Sequence, residues 1–273
     1  MTPYGHPPDR YHCLLDEQPY YLVPPRLVRP DIGGPLIVNP LCWFSWRDPP
    51  PRGFIPPRLA DESFLQPDRV VRVPDAATGA VWPYWVGPEY MAVQAQVVPG
   101  QPVSVSLPAH ARWILANADI LVSSDHAMRR RSEWLHYRTF RAVDFKRGFV
   151  VVPHLVPPFH LGALRRYYRH KTRTGCFQLG DGQVDRRYAA HNEGVGQYVH
   201  EQLVQAVGEI AGAVIKPSYA YFIAYQSGAR LERHTDRPQC EYSITLLIDS
   251  TPEPLEQSPW PLKLDTRDRT FAI

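Results

Sequence analysis

The stretch that decides the fold runs from Pro217 to Asp249: PSYAYFIAYQSGARLERHTDRPQCEYSITLLID. It opens with aromatic and apolar residues at alternate positions. Tyr219, Tyr221, Ile223 and Tyr225 share one face at the two-residue period of a strand, which also fits four side chains simply filling a core. A turn at Ser227-Gly228 follows, then ARLERH, then YSITLLID, whose alternation predicts further strands. His234 and Asp236 lie two apart between them. At a strand end, residues i and i+2 point to the same side, so one imidazole and one carboxylate converge there. Such a pair is two-thirds of the two-histidine, one-carboxylate set that holds non-haem Fe(II) with open coordination positions. The competing reading is an ordinary histidine–aspartate hydrogen bond at a strand end.

Upstream, the pattern alternates between apolar runs and helical stripes. GFVVVPHL (Gly148–Leu155) is a β-branched run and predicts a strand. Pro157 and Pro158 open a helix over 159–170, with Leu161, Leu164 and Tyr168 on one face. Its basic residues, Arg165, Arg166, Arg169 and Lys171, fall mainly off that face. Gly175–Glu193 reads as a polar loop. A second helix over 197–213 carries Val199, Leu203, Val207, Ile210 and Val214 on one stripe and ends at Lys216-Pro217. Helices first and strands after, without βαβ alternation, indicate an α+β module with an antiparallel sheet. His154, His160, His170, His191 and His200 read as surface or hydrogen-bonded residues. Asp181 and Asp185 flank Gln183 in the loop, but without the spacing of a calcium-binding EF-hand.

The first 108 residues have a different composition. Most of the chain's 30 prolines lie there, and proline breaks both helices and central strands. Loops, turns and short edge strands are therefore expected, with PPPRGFIPPRL (Pro49–Leu59) the extreme case. The aromatics of WFSW (Trp43–Trp46) and VWPYWVGPEY (Val81–Tyr90) carry too much apolar surface to stay solvated. This predicts an irregular but packed region laid against something larger. The competing reading is a proline-rich arm that binds a protein partner. A short helix near 109–118, with Ser106 as its candidate N-cap, leads into a strand. The Arg129–Arg131 triplet reads as a solvated face. The chain thus divides into a proline-rich region, 1–145, and a mixed module, 146–273.

Composition excludes several classes of protein. The chain has 273 residues and a net charge of +3, with 30 Lys+Arg against 27 Asp+Glu, which disfavours a nucleic-acid binder that works by bulk charge. No apolar run approaches a membrane span, and MTPYGHPPDR does not read as a signal peptide. Cys13, Cys42, Cys176 and Cys240 are scattered, unlike a disulfide scaffold or a structural zinc site. A cytoplasmic protein with reduced thiols is expected.

From about Gly148 onward the chain resembles the Fe(II)- and 2-oxoglutarate-dependent dioxygenase superfamily, in its prolyl-hydroxylase-like branch. The resemblance rests on the order of parts: GFVVVPHL, HLGALRRYYR, a variable loop, a long helix, then Tyr225-Gln226-Ser227-Gly228, Leu231-Glu232-Arg233, His234-Thr235-Asp236 and SITLLID. It implies a partial double-stranded β-helix, or jelly roll, with the two helices packed on its outer face. It also implies His234 and Asp236 as iron ligands and Tyr225 as a hydroxyl on 2-oxoglutarate. The implied cofactors are Fe(II) and 2-oxoglutarate, with ascorbate as a candidate reductant, and the implied activity is hydroxylation of a peptidyl or small-molecule C–H bond. The family pattern calls for a second histidine followed by an Arg or Lys for the far carboxylate of 2-oxoglutarate. No histidine follows His234, and Arg267 and Arg269 lie close to Asp236 for that role. The expectation is therefore a site completed beyond Ile273, weak metal binding by two ligands, and unpaired sheet edges prone to self-association. The alternative is a catalytically incomplete dioxygenase-fold scaffold that binds protein partners.

Overall fold

The computed structural model describes residues 11–15, 22–23, 28, 33–47, 69–87, 90, 97–103, 106–145, 148–251, 262–265 and 270–272. The proline run Pro49–Leu59, and Arg267 and Arg269, lie outside the described residues. The elements are β1 (Ile37–Val38), β2 (Trp43–Phe44), β3 (Val70–Pro74), β4 (Val81–Trp85), α1 (Ala109–Asn117), β5 (Leu121–Val122), α2 (His126–Phe145), α3 (Pro158–Arg173), β6 (Gln178–Leu179), β7 (Arg187–His191), α4 (Gly194–Ala211), β8 (Tyr221–Tyr225), β9 (Lys263–Asp265) and β10 (Thr270–Ala272). The strands pair antiparallel in four small sheets: β1–β5, β2–β3–β4, β6–β7–β8 and β9–β10. The class is α+β, and the described strands close no barrel.

The proline-rich region builds a sheet where its prolines permit one. Pro83 lies in β4, at the edge of β2–β3–β4, where a missing N–H is tolerated. The β3–β4 hairpin turns on Asp75, whose carboxylate accepts from the Ala77 amide (3.1 Å) and the Thr78 hydroxyl (2.8 Å). Gly79 completes the turn at φ +71°, and a Cβ there would run into Gln205 Oε1 on α4. The sheet is not a separate arm. Tyr11, Val71, Trp82 and Tyr84 share one buried cluster with Phe159 and Leu164 of α3 and Tyr198 and Leu203 of α4. Two polar links fix the same contact: Gln202 Oε1 accepts from the Val81 amide at 2.7 Å, and the Tyr198 hydroxyl donates to the Val81 carbonyl.

The helices follow the sequence stripes, with different stop and start signals. For α1 the cap is Pro108 rather than Ser106, without a side-chain bond. α3 starts with Pro158 after Pro157, as expected from proline's pre-set φ. Glu193 caps α4 by accepting from the Gly196 amide at 3.0 Å, and Gly212, left-handed at φ 65°, ends it. The helix therefore stops before Lys216-Pro217, and Val214, the last member of the expected stripe, is exposed. α2 is a long helix where the sequence patterning showed only a charge run. Its Trp134 packs on Ala206 and Ile210 of α4 and donates to Glu209 at 2.6 Å. Arg130 of the triplet pairs with Asp75 at 3.2 Å.

Three expected strands are absent, and one expected loop is a hairpin. Gly148–Leu155 forms no strand. Val150, Val152 and Leu155 pack instead beside Trp134, Pro153 removes a donor, and the Tyr137 hydroxyl takes the Val151 carbonyl at 2.7 Å. ARLERH and YSITLLID form no strand and pair in no ladder. YSITLLID keeps its alternation only over Leu246–Ile248: Leu246 and Ile248 pack against the core and Leu247 is exposed, while Ile244, at the same parity as the packed pair, is exposed too. It is pinned from α3: Arg165 donates to the Ile248 carbonyl at 2.7 Å, and Arg169 grips Asp249 through two bonds of 2.5 and 2.7 Å. Arg165 and Arg169, expected off the apolar face of α3, thus act as clamps. The stretch Gly175–Glu193, expected as a loop, holds β6 and β7. No helix among the described residues is long and apolar enough to cross a membrane.

Candidate functional site

The sheet β6–β7–β8 has two unlike faces. Register places Tyr188, Ala190 and Phe222 on one side, packed against the core. Phe222 stacks on Tyr168 of α3, with ring centroids 4.2 Å apart. The opposite face carries Arg187, Ala189, His191, Tyr221, Ile223 and Tyr225, paired as Arg187↔Tyr225, Ala189↔Ile223 and His191↔Tyr221. Tyr219 continues this face beyond the strand, stacked on His191 at 5.2 Å, with the Arg237 guanidinium 5.9 Å from its centroid. This side is open among the described residues at Tyr221, 39% exposed, and at His191.

Arg187 is the exception on that face, because it is buried. The β6–β7 turn folds over it. Gly180 makes the bend at φ +78°, where a Cβ would press within 3.2 Å of the Asp185 carbonyl. Asp181 then accepts from the Gln183 amide (2.9 Å), the Val184 amide (3.0 Å), Arg187 Nε (2.6 Å) and the Tyr221 hydroxyl (2.9 Å). Burial alone would raise the Asp181 carboxyl, but these donors outweigh it and hold the group well below the usual carboxylate range. Arg187 also donates to Gln183 Oε1 at 2.9 Å and to the Tyr225 hydroxyl at 3.2 Å. Its guanidinium lies 5.7 Å from both the Tyr221 and Tyr225 ring centroids.

His234 and Asp236 converge, although not at a strand end. They sit in a loop that a turn closes, with the Cys240 amide on the Arg237 carbonyl at 2.8 Å. His234 Nε2 faces Asp236 Oδ1 at 3.7 Å. The far atom of each group is engaged: His234 Nδ1 is 2.9 Å from the Glu232 carbonyl, and the Ser243 hydroxyl donates to Asp236 Oδ2. A carbonyl only accepts, so Nδ1 carries a proton. Nε2 then presents either a lone pair or a second proton to the carboxylate. At 3.7 Å the gap exceeds a hydrogen bond. Two lone pairs facing each other there repel unless a proton or a metal cation lies between them. The donor set therefore fits a cation with one nitrogen and one oxygen ligand. Among the described residues no cluster of three His, Cys, Asp or Glu side chains gathers to hold one.

Of the other described histidines, His191 stacks on Tyr219. His160 is buried between the N-terminal sheet and α3, hydrogen-bonded through Nδ1 to the Tyr11 hydroxyl and ringed by Trp82 and Tyr84. Burial pushes its imidazole down to about 3, with the Pro83 carbonyl pulling weakly the other way. Asp181 spends its oxygens inside the hairpin and Asp185 is exposed, so the two form no shared calcium site. All four cysteines are free thiols.

The sequence patterning missed Arg187, Asp181 as its partner, and Ser243. The Gly180-Asp181-Gly182 run is a turn signal that points to the hairpin and hence to Arg187. Nothing local marks Ser243. Comparison with protein-family models, curated proteins and solved structures finds no match to this chain.

Proposed function

We propose that the loop pair His234–Asp236 and the open face of β6–β7–β8 form the metal and cosubstrate half of an Fe(II)- and 2-oxoglutarate-dependent dioxygenase site in a jelly-roll-type module. The substrate class is a peptidyl or small-molecule C–H compound. The observation that carries the reading is the approach of His234 Nε2 to Asp236 Oδ1, each group being held from behind. Such outer hydrogen bonds fix the tautomer and ring orientation of a ligating histidine and the rotamer of a ligating carboxylate.

When bound, Fe(II) would activate O₂, with 2-oxoglutarate as the electron source, for C–H hydroxylation. This chain's residues have simpler tasks. His234 and Asp236 would present one neutral nitrogen and one anionic oxygen to the metal. Glu232 and Ser243 keep both groups from rotating away. Tyr225 would offer its hydroxyl to the anionic cosubstrate. Tyr219, with His191 and Arg237 against its ring, gives a flat, cation-bearing wall beside the pair. Its phenol is raised, first by the hydrogen bond it gives to the Cys240 sulfur and next by burial, so it stays neutral at pH 7.

A second reading, a catalytically incomplete scaffold that binds protein partners, is favoured by one observation. Only two candidate ligands meet among the described residues. Mn(II) titration monitored by electron paramagnetic resonance tests the first part of the site. The expected result is weak binding that His234→Ala and Asp236→Ala each abolish, with unchanged circular dichroism. Binding that ignores both substitutions sinks the metal assignment. Consumption of 2-oxoglutarate with Fe(II) and ascorbate then separates enzyme from scaffold.

A further inference from the structure

We propose that Arg187 is a positioning residue for this face: it fixes the Tyr225 hydroxyl so that its proton is offered outward to an anionic ligand. The inference rests on the reading of Tyr225 as a cosubstrate contact and adds a residue to it. Arg187 lies directly across the β7–β8 ladder from Tyr225. Its side chain is almost completely buried and cannot turn, because Asp181 takes Nε at 2.6 Å and Gln183 takes Nη2 at 2.9 Å. That leaves Nη1 aimed at the Tyr225 oxygen at 3.2 Å.

The direction of this last bond carries the argument. A guanidinium donates and never accepts, so the phenol oxygen is the acceptor and its own proton must point away from Arg187. Asp181, the nearby carboxylate, accepts from Tyr221 and not from Tyr225. Among the described residues no acceptor takes the Tyr225 proton. The hydroxyl is therefore a donor with no acceptor among the described residues, backed by a buried positive charge, on a sheet face that leaves Tyr221 and His191 exposed. A carboxylate or phosphate placed there gains a short charge-assisted bond and a favourable field. A lysine at 187 would keep the charge. It would lose the planar fork that reaches Asp181, Gln183 and Tyr225 together.

The test is a double-mutant cycle on the full chain in saturating Mn(II), with 2-oxoglutarate as the probe and calorimetry as the readout. Tyrosine ¹³Cζ resonances are recorded in parallel on the ligand-free protein, with Tyr225 assigned through Tyr225→Phe. Tyr225→Phe should weaken 2-oxoglutarate about tenfold, the scale of one charge-assisted hydrogen bond. Arg187→Met should cost about as much alone and nothing more in the Tyr225→Phe background, with Arg187→Lys intermediate. The Tyr225 resonance should move in Arg187→Met while that of Tyr219 stays. A purely structural arginine would weaken both backgrounds by the same factor, and that result, or an unmoved Tyr225 resonance, overturns the proposal. If Arg187→Met does not fold, Arg187→Lys carries both measurements. A wild-type chain that binds no 2-oxoglutarate overturns the cosubstrate reading instead, and the resonance then decides alone whether Arg187 sets the hydroxyl.

Discussion

The two three-stranded sheets of this chain have the same antiparallel pairing and opposite surroundings. In β2–β3–β4, Trp43, Phe44, Val71, Arg72, Trp82 and Tyr84 are all buried. In β6–β7–β8 only one face is covered, and the other exposes Tyr221 and His191. The proline-rich sheet, which composition marks as the irregular one, is thus the better packed. Its side chains share a core with α3 and α4 and hold those helices in place. The second sheet leans on the same helices through Phe222 and leaves its polar and aromatic face open. A closed sheet stores stability and an open, polar one is free to bind. Substitutions should separate the two by stability before any activity is measured.

A large effect is expected from acid, through His160. Its folded value lies near 3 against an ordinary 6.5, so above pH 6.5 both states are neutral and the group contributes no pH dependence. Below pH 6.5 the unfolded chain takes up a proton that the folded chain refuses. Stability then falls by about 1.4 kcal/mol per pH unit. Between pH 6.5 and 4.5, above the ordinary range of the carboxylates, the loss should reach ~3 kcal/mol. Urea melts across that window measure it. His160→Phe removes the titration, so an equally steep slope in that variant would show that the pH dependence arises elsewhere.

Trp82→Ala, in the same sheet, should cost about 3–5 kcal/mol, the usual range for a large aromatic removed from a core. Tyr221→Ala on the open face should cost far less, roughly 1 kcal/mol, mainly its bond to Asp181. Equal losses at the two positions would mean that the open face is covered in solution, and the contrast between the sheets would fail.

Between these lies Glu193, which ties both sheets' helices together. Its carboxylate caps α4 and accepts from the Tyr167 and Tyr168 hydroxyls at 2.6 and 2.9 Å. Glu193→Ala loses a cap and the acceptor of two largely buried phenols, so about 2–3 kcal/mol is expected. Glu193→Gln keeps the geometry and should lose less. A Gln variant as unstable as the Ala variant would show that charge, not capping geometry, is what matters.

The sequence was legible where structure is local. The stripe Val199–Ile210 places α4, and Pro157-Pro158 place the start of α3, because side-chain period and proline's fixed φ are set within a turn. It was illegible where pairing is long-range. YSITLLID has strand periodicity because Leu246 and Ile248 face the core, yet arginines of α3 and not a neighbouring strand hold its backbone. β7 has the ladder without the usual composition, since Arg187, Ala189 and Ala190 are poor strand formers held by register with β8. Of the candidate site, the His234–Asp236 spacing was visible. The convergence itself comes from a loop closed through Arg237 and Cys240, and the supporting Ser243 only meets Asp236 in three dimensions.

That last contact yields the smallest stability effect and the sharpest test of the open side. Asp236 is about half exposed, so removing the Ser243 hydroxyl should change stability by less than ~0.5 kcal/mol. Metal affinity should respond more, because a carboxylate whose far oxygen is no longer held must be ordered by the ion itself. Loss of such an outer partner typically costs about 10-fold or more in affinity. Ser243→Ala is therefore expected to weaken Mn(II) about tenfold while leaving the melting curve in place. If Ser243→Ala is silent while His234→Ala and Asp236→Ala abolish binding, the hydroxyl contact is incidental and the carboxylate orders itself. If all three are silent, the pair is no metal site but an exposed surface contact, worth little to stability and nothing to catalysis.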